Sequence, residues 1–303
     1  MKTYPQCRAV IDIGSNSVKL LVAEVRKSHI QPHFESSITT RLAEGLSHQS
    51  RLSPEAIQRT FQAIKKFYKK AKNLDVQDIR AFGTSALRSC KNPQALLDLL
   101  EKKLQLPTRI LSGHEEAALI FQGVLSDPLI PQASPLLVMD LGGGSVEFIS
   151  NQNTTKNKQL TQASLDIGCV RIKEKFFTHY PISPSSRNNL ETFLGAQLSH
   201  HSFLQQSHTV ILTGGAITCL LPWLNASSSQ KSQLHFSTIL LKQLTETLLA
   251  LTLPDLLSHP FLPQDRADLM PAGCLIFSQT LDFMKTDSFF ISKRNLRYGL
   301  VGI

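Results

Sequence analysis

The sequence predicts an α/β protein of two lobes with similar topology, and three observations predict it. First, a hairpin occurs twice, at 8–25 and 137–149: an apolar strand ends in aspartate, turns through small residues and resumes with alternating polarity. Asp12 falls on Asp140, Gly14 on Gly142, Ser17 on Ser145 and Val18 on Val146, 128 residues apart. Second, each hairpin is followed by a strand that breaks at glycine into a helix. Ile79 to Ala86 resembles Val210 to Ile217, with Gly83 lying 71 residues after Asp12 and Gly214 lying 74 after Asp140. Third, Ser126 to Pro135 carries Pro128, Pro131 and Pro135 and reads as a boundary. The expected lobes are 1–127 and 128–303, with the closing helix near 294–303 a candidate to pack back on the first.

Taken in order, Arg8 to Asp12 is an apolar strand, Gly14-Ser15-Asn16 a turn, and Ser17 the start of the return strand. Residues 30–40 read as a third strand. Pro54 to Asn73 predicts a helix, because Ile57, Phe61, Ile64 and Tyr68 recur at helical spacing behind an N-cap Ser53 and a proline in the first turn. Lys65, Lys66, Lys69, Lys70 and Lys72 cluster at its far end. They read first as a solvated face complementing the helix dipole, on a surface that a long polyanion could also touch. Thr84 to Arg88 opens the next helix, where N–H groups and a guanidinium one turn in could both meet phosphate. Position alone leaves Arg88 equally open to a surface role. Pro107 to Leu111 is a short strand, and Ser112 with Glu115 forms a capping box at the start of a helix running to about Val124. Glu116 has no such structural task and is a candidate for orienting a water. His114 is expected on an exposed loop, since no HExxH spacing accompanies it.

In the second half, Leu136 to Met139 runs into Asp140, and Gly142, Gly143 and Gly144 leave the turn's N–H groups unobstructed, as in a phosphate nest. The period of two then puts Val146 and Phe148 on one side, Ser145 and Glu147 on the other. Two carboxylates and a hydroxyl would face one small volume. Alone, the stretch reads equally well as a glycine-rich hairpin with incidental acids. A polar turn at Asn151 to Asn157, a strand at Gln159 to Leu165 and a helix from Gly168 to Phe177 with Arg171 near its start follow. A helix begins at Ser183-Pro184, and Leu212 to Thr218 is the second strand-to-helix turn, holding Gly214 and Gly215. Ser227 to Gln230 reads as a loop, 237–251 and 263–285 as helices, Ser288 to Ser292 as a strand and Arg294 to Leu300 as a closing helix.

The 303 residues, 42% hydrophobic, suffice for two cores. A formal charge of +9 suggests an anionic partner, whether polyphosphate, nucleotide or nucleic acid, although the cations are spread along the chain. Nucleic acid has only this charge in its favour, without interleaved aromatics or a reading motif. Five isolated cysteines, none in CxxC spacing, support neither a disulfide framework nor a zinc site. The N-terminus has no apolar h-region and no apolar run approaches membrane-spanning length, so a cytoplasmic protein without membrane association is expected.

Six motifs together resemble the Ppx/GppA family of exopolyphosphatases and guanosine pentaphosphate phosphohydrolases: Asp-Ile-Gly-Ser-Asn-Ser at 12–17, Thr-Ser-Ala-Leu-Arg at 84–88, Ser-Gly-His-Glu-Glu-Ala at 112–117, Asp-Leu-Gly-Gly-Gly-Ser-Val-Glu at 140–147, Gly-Cys-Val-Arg at 168–171 and Leu-Thr-Gly-Gly-Ala-Ile-Thr at 212–218. Arg266-Ala267-Asp268 and Leu296 to Leu300 continue the resemblance, which spans essentially the whole chain in its short, two-domain form. It implies two ribonuclease-H-like lobes of the actin-like ATPase superfamily with a cleft between them. By resemblance, Glu116 is the catalytic glutamate, and Asp140 and Glu147 hold magnesium, or another divalent cation such as manganese, or the attacking water. Gly14, Ser15, Asn16 and Ser17, with Arg88, Gly142, Gly143, Gly144, Ser145, Gly214 and Gly215, bind phosphate. The expected activity is hydrolysis of the terminal phosphoanhydride of inorganic polyphosphate by in-line attack of water. Its alternative is the same reaction on guanosine pentaphosphate. A non-catalytic nucleotide-binding module and an actin-like sugar kinase are weaker readings, the kinase because no sugar-site insertion is recognisable. A homodimer is the candidate assembly.

Overall fold

The structure is a computed structural model, which describes residues 7–26, 29–131, 135–152, 160–206, 208–228 and 234–303. The chain divides into two compact units: residues up to Ser126 together with Arg294–Ile303, and Asp127–Lys293.

The first unit contains β1 (Arg8–Ile13), β2 (Ser17–Arg26), β3 (His29–Thr39), α1 (Leu46–Gln49), α2 (Pro54–Asn73), β4 (Asp78–Gly83), α3 (Ser85–Ser89), α4 (Gln94–Leu104), β5 (Thr108–Ile110) and α5 (Gly113–Leu125). Its sheet runs β3-β2-β1-β4-β5. The first three strands are antiparallel and the last three parallel. Ser53 caps α2 by accepting the Ala56 N–H, with Pro54 in the first turn where no N–H is needed. Ile57, Phe61, Ile64 and Phe67 bury one stripe of α2 in the core with Ile11, Ile13 and Leu20. Phe67 takes the place expected for Tyr68, which is only partly buried. α4 was not anticipated from the sequence, although Leu96 and Leu100, one turn apart, are its buried positions.

The second unit contains β6 (Leu136–Leu141), β7 (Val146–Ser150), β8 (Thr161–Leu165), α6 (Cys169–Phe176), α7 (Pro184–Ser199), β9 (Thr209–Thr213), α8 (Gly215–Ser227), β10 (His235–Ser237), α9 (Thr238–Ala250), α10 (Leu253–Ser258), α11 (Met270–Met284) and β11 (Ser288–Ile291). Its sheet runs β10-β11-β9-β6-β7-β8. Read from the other end, β8-β7-β6-β9-β11 repeats β3-β2-β1-β4-β5 strand for strand, and β10 is an added edge. The duplication seen in the sequence is therefore a duplication of topology.

Two expectations need correction. The helix placed at 263–285 begins at Met270: Pro263 and the residues after it form turns, a 3-10 turn spans Ala267–Leu269, and Pro271 fits only the first turn of α11. Ser227 closes α8 rather than opening a loop. The rest of that loop, Ser229 and Gln230, lies outside the described residues, as do 153–157 of the polar turn and Gln159. No helix among the described residues is long and apolar enough to cross a membrane.

The chain ends in α12 (Leu296–Val301), which belongs to the first unit and lies against α5. The approach is close enough to require glycine on both helices. A Cβ at Gly299 would sit 1.9 Å from the Leu119 carbonyl oxygen, and one at Gly123 would sit 2.1 Å from that of Asn295. Polar bonds tie α12 to the sheet: Arg297 donates to the Leu20 carbonyl, Tyr298 donates to Glu35, and Arg8 donates to the Val301 carbonyl.

Candidate functional site

In the first unit, β1, β4 and β5 run parallel and end at Ile13, Gly83 and Ile110. Open α/β sheets collect ligands at such carboxyl ends, and the segments singled out from the sequence all begin there. The turn after β1 is closed by the Gly14 N–H donating to the Ser17 carbonyl at 3.1 Å. Its other carbonyls are committed: Asn16 accepts from Thr40 and Arg41, and Ser15 accepts from Ala43, each at 2.9 Å. Among the described residues, the Ser15 and Asn16 N–H groups donate to no backbone carbonyl. The Asn16 Oδ1 and the Ser85 hydroxyl, at the start of α3, are buried without a partner. Two donors, an amide oxygen and a hydroxyl are thus arranged for something polar that the described residues do not supply. Sequence reading did not single out Ser85, although it stands beside Thr84 where the helix opens.

Arg88 and Glu116 meet. The guanidinium donates to Glu116 Oε2 at 2.7 Å and to the Leu111 carbonyl at 3.0 Å. The side chains are 26% and 8% exposed respectively. Glu115 does what its spacing requires, closing the capping box with Ser112 and pairing with Arg109. The N–H and hydroxyl of Ser112 hold its carboxyl below the ordinary range. Glu116 is free of that task but carries Arg88, a partner 28 residues away. His114 is exposed, on the first turn of α5 rather than a loop.

In the second unit, β6, β9 and β11 are the parallel strands, and the glycine turn follows β6. The Gly142 N–H donates to the Ser145 carbonyl at 2.9 Å, repeating the first turn's closure. The turn's carbonyls are drawn toward the start of α6: Cys169 donates to Gly142, Val170 to Gly143, and the Arg171 side chain to Gly144. Gly168 allows this approach, since a Cβ there would lie 2.4 Å from the Gly143–Gly144 peptide. The Gly143 and Gly144 N–H groups donate to no backbone carbonyl among the described residues. Arg171 is thus a brace for the turn. Burial pushes the Cys169 thiol up to about 12, so no thiolate nucleophile stands behind the turn at neutral pH.

Asp140 and Glu147 are opposite partners in the β6–β7 register, and Glu147 is opposite Ser164 in β7–β8. All three therefore share one face. The Ser164 hydroxyl donates to Glu147 at 3.0 Å; sequence reading missed it. Gly214 adopts φ +99°, and a Cβ there would lie 2.3 Å from Asp140 Oδ1, so glycine keeps the carboxylate against the second strand-to-helix turn. Gly215 next to it faces the Arg266 guanidinium, 3.1 Å from where its Cβ would be. Arg266, which the sequence marks only as part of the Arg266-Ala267-Asp268 stretch, is thus placed beside this turn.

Comparing the two rows tests the donor set for a metal. In the first unit the row reads Asp12, Lys19, Ser37; in the second, Asp140, Glu147, Ser164. Where Asp12 faces an ammonium at 4.0 Å, Asp140 faces a second buried carboxylate. Like charges directly opposite destabilise a sheet, and two hard oxygen ligands completed by water and phosphate are the pattern magnesium takes. The donor set fits that ion. Among the described residues, no group of three or more acids, histidines or cysteines forms a cage of its own.

Asp12 shows what burial alone does at this position. Burial pushes its carboxyl up, against the opposing pull of Lys19 and Arg297. A raised folded value means that the ionised form costs stability. That cost is absent below the unfolded pKa, grows as pH rises from the unfolded to the folded value and is complete above the folded one. Asp12→Asn is expected to raise Tm at neutral pH, with a gain that fades as pH falls; melts across pH check it, and an equal gain at every pH would refute the cause.

The Ppx/GppA phosphatase family is matched over residues 21–302. A candidate exopolyphosphatase of Haemophilus influenzae is 30% identical over 305 residues, covering 97% of this chain and 90% of that protein. A guanosine-5'-triphosphate,3'-diphosphate pyrophosphatase of Vibrio parahaemolyticus is 29% identical over 298 residues, covering 97% of this chain and 58% of that one. The chain spans about half the length of the first two curated relatives it matches, 46% and 58%. Among solved structures, an exopolyphosphatase from Cytophaga hutchinsonii superposes with a TM-score of 0.87 at 25% identity, covering 98% of this chain and 96% of that one.

Proposed function

The chain belongs to the Ppx/GppA phosphatase family, and on that premise we propose that it hydrolyses the terminal phosphoanhydride of inorganic polyphosphate, releasing orthophosphate. The observation that carries the reading is the buried Glu116 carboxylate held 2.7 Å from the Arg88 guanidinium at the carboxyl edge of a parallel sheet. Glu116 orients the attacking water and accepts its proton. The new P–O bond forms in line with the anhydride bond that breaks, and the shortened chain leaves. In the first unit, Arg88 and the N–H groups of Ser15 and Asn16 take up the charge on the phosphoryl oxygens; the Gly143 and Gly144 N–H groups of the second unit are donors of the same kind. Phosphoryl transfer needs placement and charge neutralisation more than covalent chemistry, so water attacks without a phospho-enzyme.

Asp140 and Glu147 are the residues that would hold magnesium, or manganese in its place. Bound there, such an ion would supply neutralising charge to phosphate oxygens. Glu147→Ala is expected to move the magnesium titration of activity upward on the order of tenfold or more; an unchanged midpoint would remove Glu147 from that role.

A second reading, guanosine pentaphosphate as substrate, is favoured by the likeness to the Vibrio guanosine-5'-triphosphate,3'-diphosphate pyrophosphatase. Phosphate release from short polyphosphate, long polyphosphate and guanosine pentaphosphate in parallel separates the two. Release from polyphosphate alone establishes the exopolyphosphatase. Comparable or faster release from the guanosine compound establishes the alternative, and release from none leaves a binding module.

A further inference from the structure

We propose that the exposed face of α2 is a second anion-binding surface, a rail along which the unreacted length of a linear polyphosphate lies; it rests on the polyphosphate reading above. The side of α2 opposite its buried stripe is exposed and carries Arg59, Lys65, Lys66, Lys69, Lys70 and Lys72. Among the described residues, none of the five lysines forms an ion pair. Their spacing works against the helix, because Lys65 with Lys69 and Lys66 with Lys70 stand one turn apart as like charges. Complementing the helix dipole accounts for the last turn, Lys70 and Lys72, and not for the three before it. Lys70 and Lys72 also rest over the Phe34 and Tyr68 rings, at 4.8 Å and 5.7 Å. Among the described residues, Lys65, Lys66 and Lys69 thus weaken the helix with no ion pair or ring contact to offset it.

The surface begins beside the first phosphate turn. The Arg59 Nε donates to the Thr40 carbonyl at 3.1 Å, and the Thr40 N–H donates to the Asn16 carbonyl at 2.9 Å. From Arg59 the helix rises about 9 Å to Lys65 and about 20 Å to Lys72. A chain whose end is held at Asn16 can therefore continue onto cations without leaving the unit. The exposed positions of this face, 55, 58, 59, 62, 65, 66, 69, 70, 72 and 73, carry no aromatic residue, so nothing there stacks a nucleobase. The surface recognises a repeated negative charge, which is what polyphosphate offers.

The test measures binding in the Glu116→Ala background, where the substrate persists, with long-chain polyphosphate, tripolyphosphate and oligothymidylate of matched charge as probes. In K65Q/K66Q/K69Q, long-chain affinity is expected to fall on the order of tenfold. Its salt dependence should become shallower by about two, as for three lost contacts at about 0.7 each on a single-stranded polyanion, while tripolyphosphate binding stays unchanged. Glutamine has nearly the helix propensity of lysine, so Tm should not fall, and K65R/K66R/K69R should retain affinity. Unchanged long-chain binding, equal loss for tripolyphosphate, loss in the arginine variant, or an equal loss for oligothymidylate would each overturn the rail, the last by making the surface a nucleic-acid site. Phosphate release by the wild type is read separately, so a failed hydrolase reading and a failed rail give different results.

Discussion

Glu116→Ala is expected to lower phosphate release by about a hundredfold to ten-thousandfold, the usual loss when a positioned base is removed. The fold should survive it, because Arg88 keeps its bond to the Leu111 carbonyl and is itself partly exposed. Glu116→Gln sharpens the result. Glutamine can still accept a bond from Arg88 but cannot take a proton, so a Gln variant as slow as the Ala variant assigns the loss to the base. A Gln variant near wild type would assign it to the placement of Arg88. Full activity in both would end the role given to Glu116, whatever the substrate.

Gly299→Ala is expected to have the largest effect on stability. The new methyl would lie 1.9 Å from the Leu119 carbonyl oxygen, a backbone atom that no rotamer change can move aside. α12 would have to separate from α5, losing the close packing of the two helices. Overpacking of this kind costs about 1–3 kcal/mol or more, which at about 2–4 °C per kcal/mol corresponds to a fall in Tm of roughly 2–12 °C. Since α5 carries Glu116 on its first turn, activity should fall with it. A Tm equal to wild type would show that the helices can part without cost.

Much of the candidate site was legible in the sequence because its determinants are local. The capping box at Ser112 and Glu115 spans three residues, and the two hairpins close through bonds from Gly14 to Ser17 and from Gly142 to Ser145. Such elements are set by turn chemistry and by the alternation of side chains, which a short stretch of chain carries whole. α11 was overextended for a related reason: apolar spacing continues upstream of Met270, while the prolines decide where helical hydrogen bonding can start.

By itself, the sequence determined that two copies of one strand–turn–strand unit exist, where their turns fall and which small and acidic residues stand in them. Tertiary structure alone decided the partners. Arg88 reaches Glu116 across 28 residues. Register across three strands brings Ser164 to Glu147 and sets Lys19, in the other unit, at the equivalent place beside Asp12. Gly299 and Gly123 take their meaning from a helix contact between distant parts of the chain. Strand register and helix approach are selected by burial over the whole unit, where a slip of one residue would turn every side chain to the other face. No window of sequence contains that information.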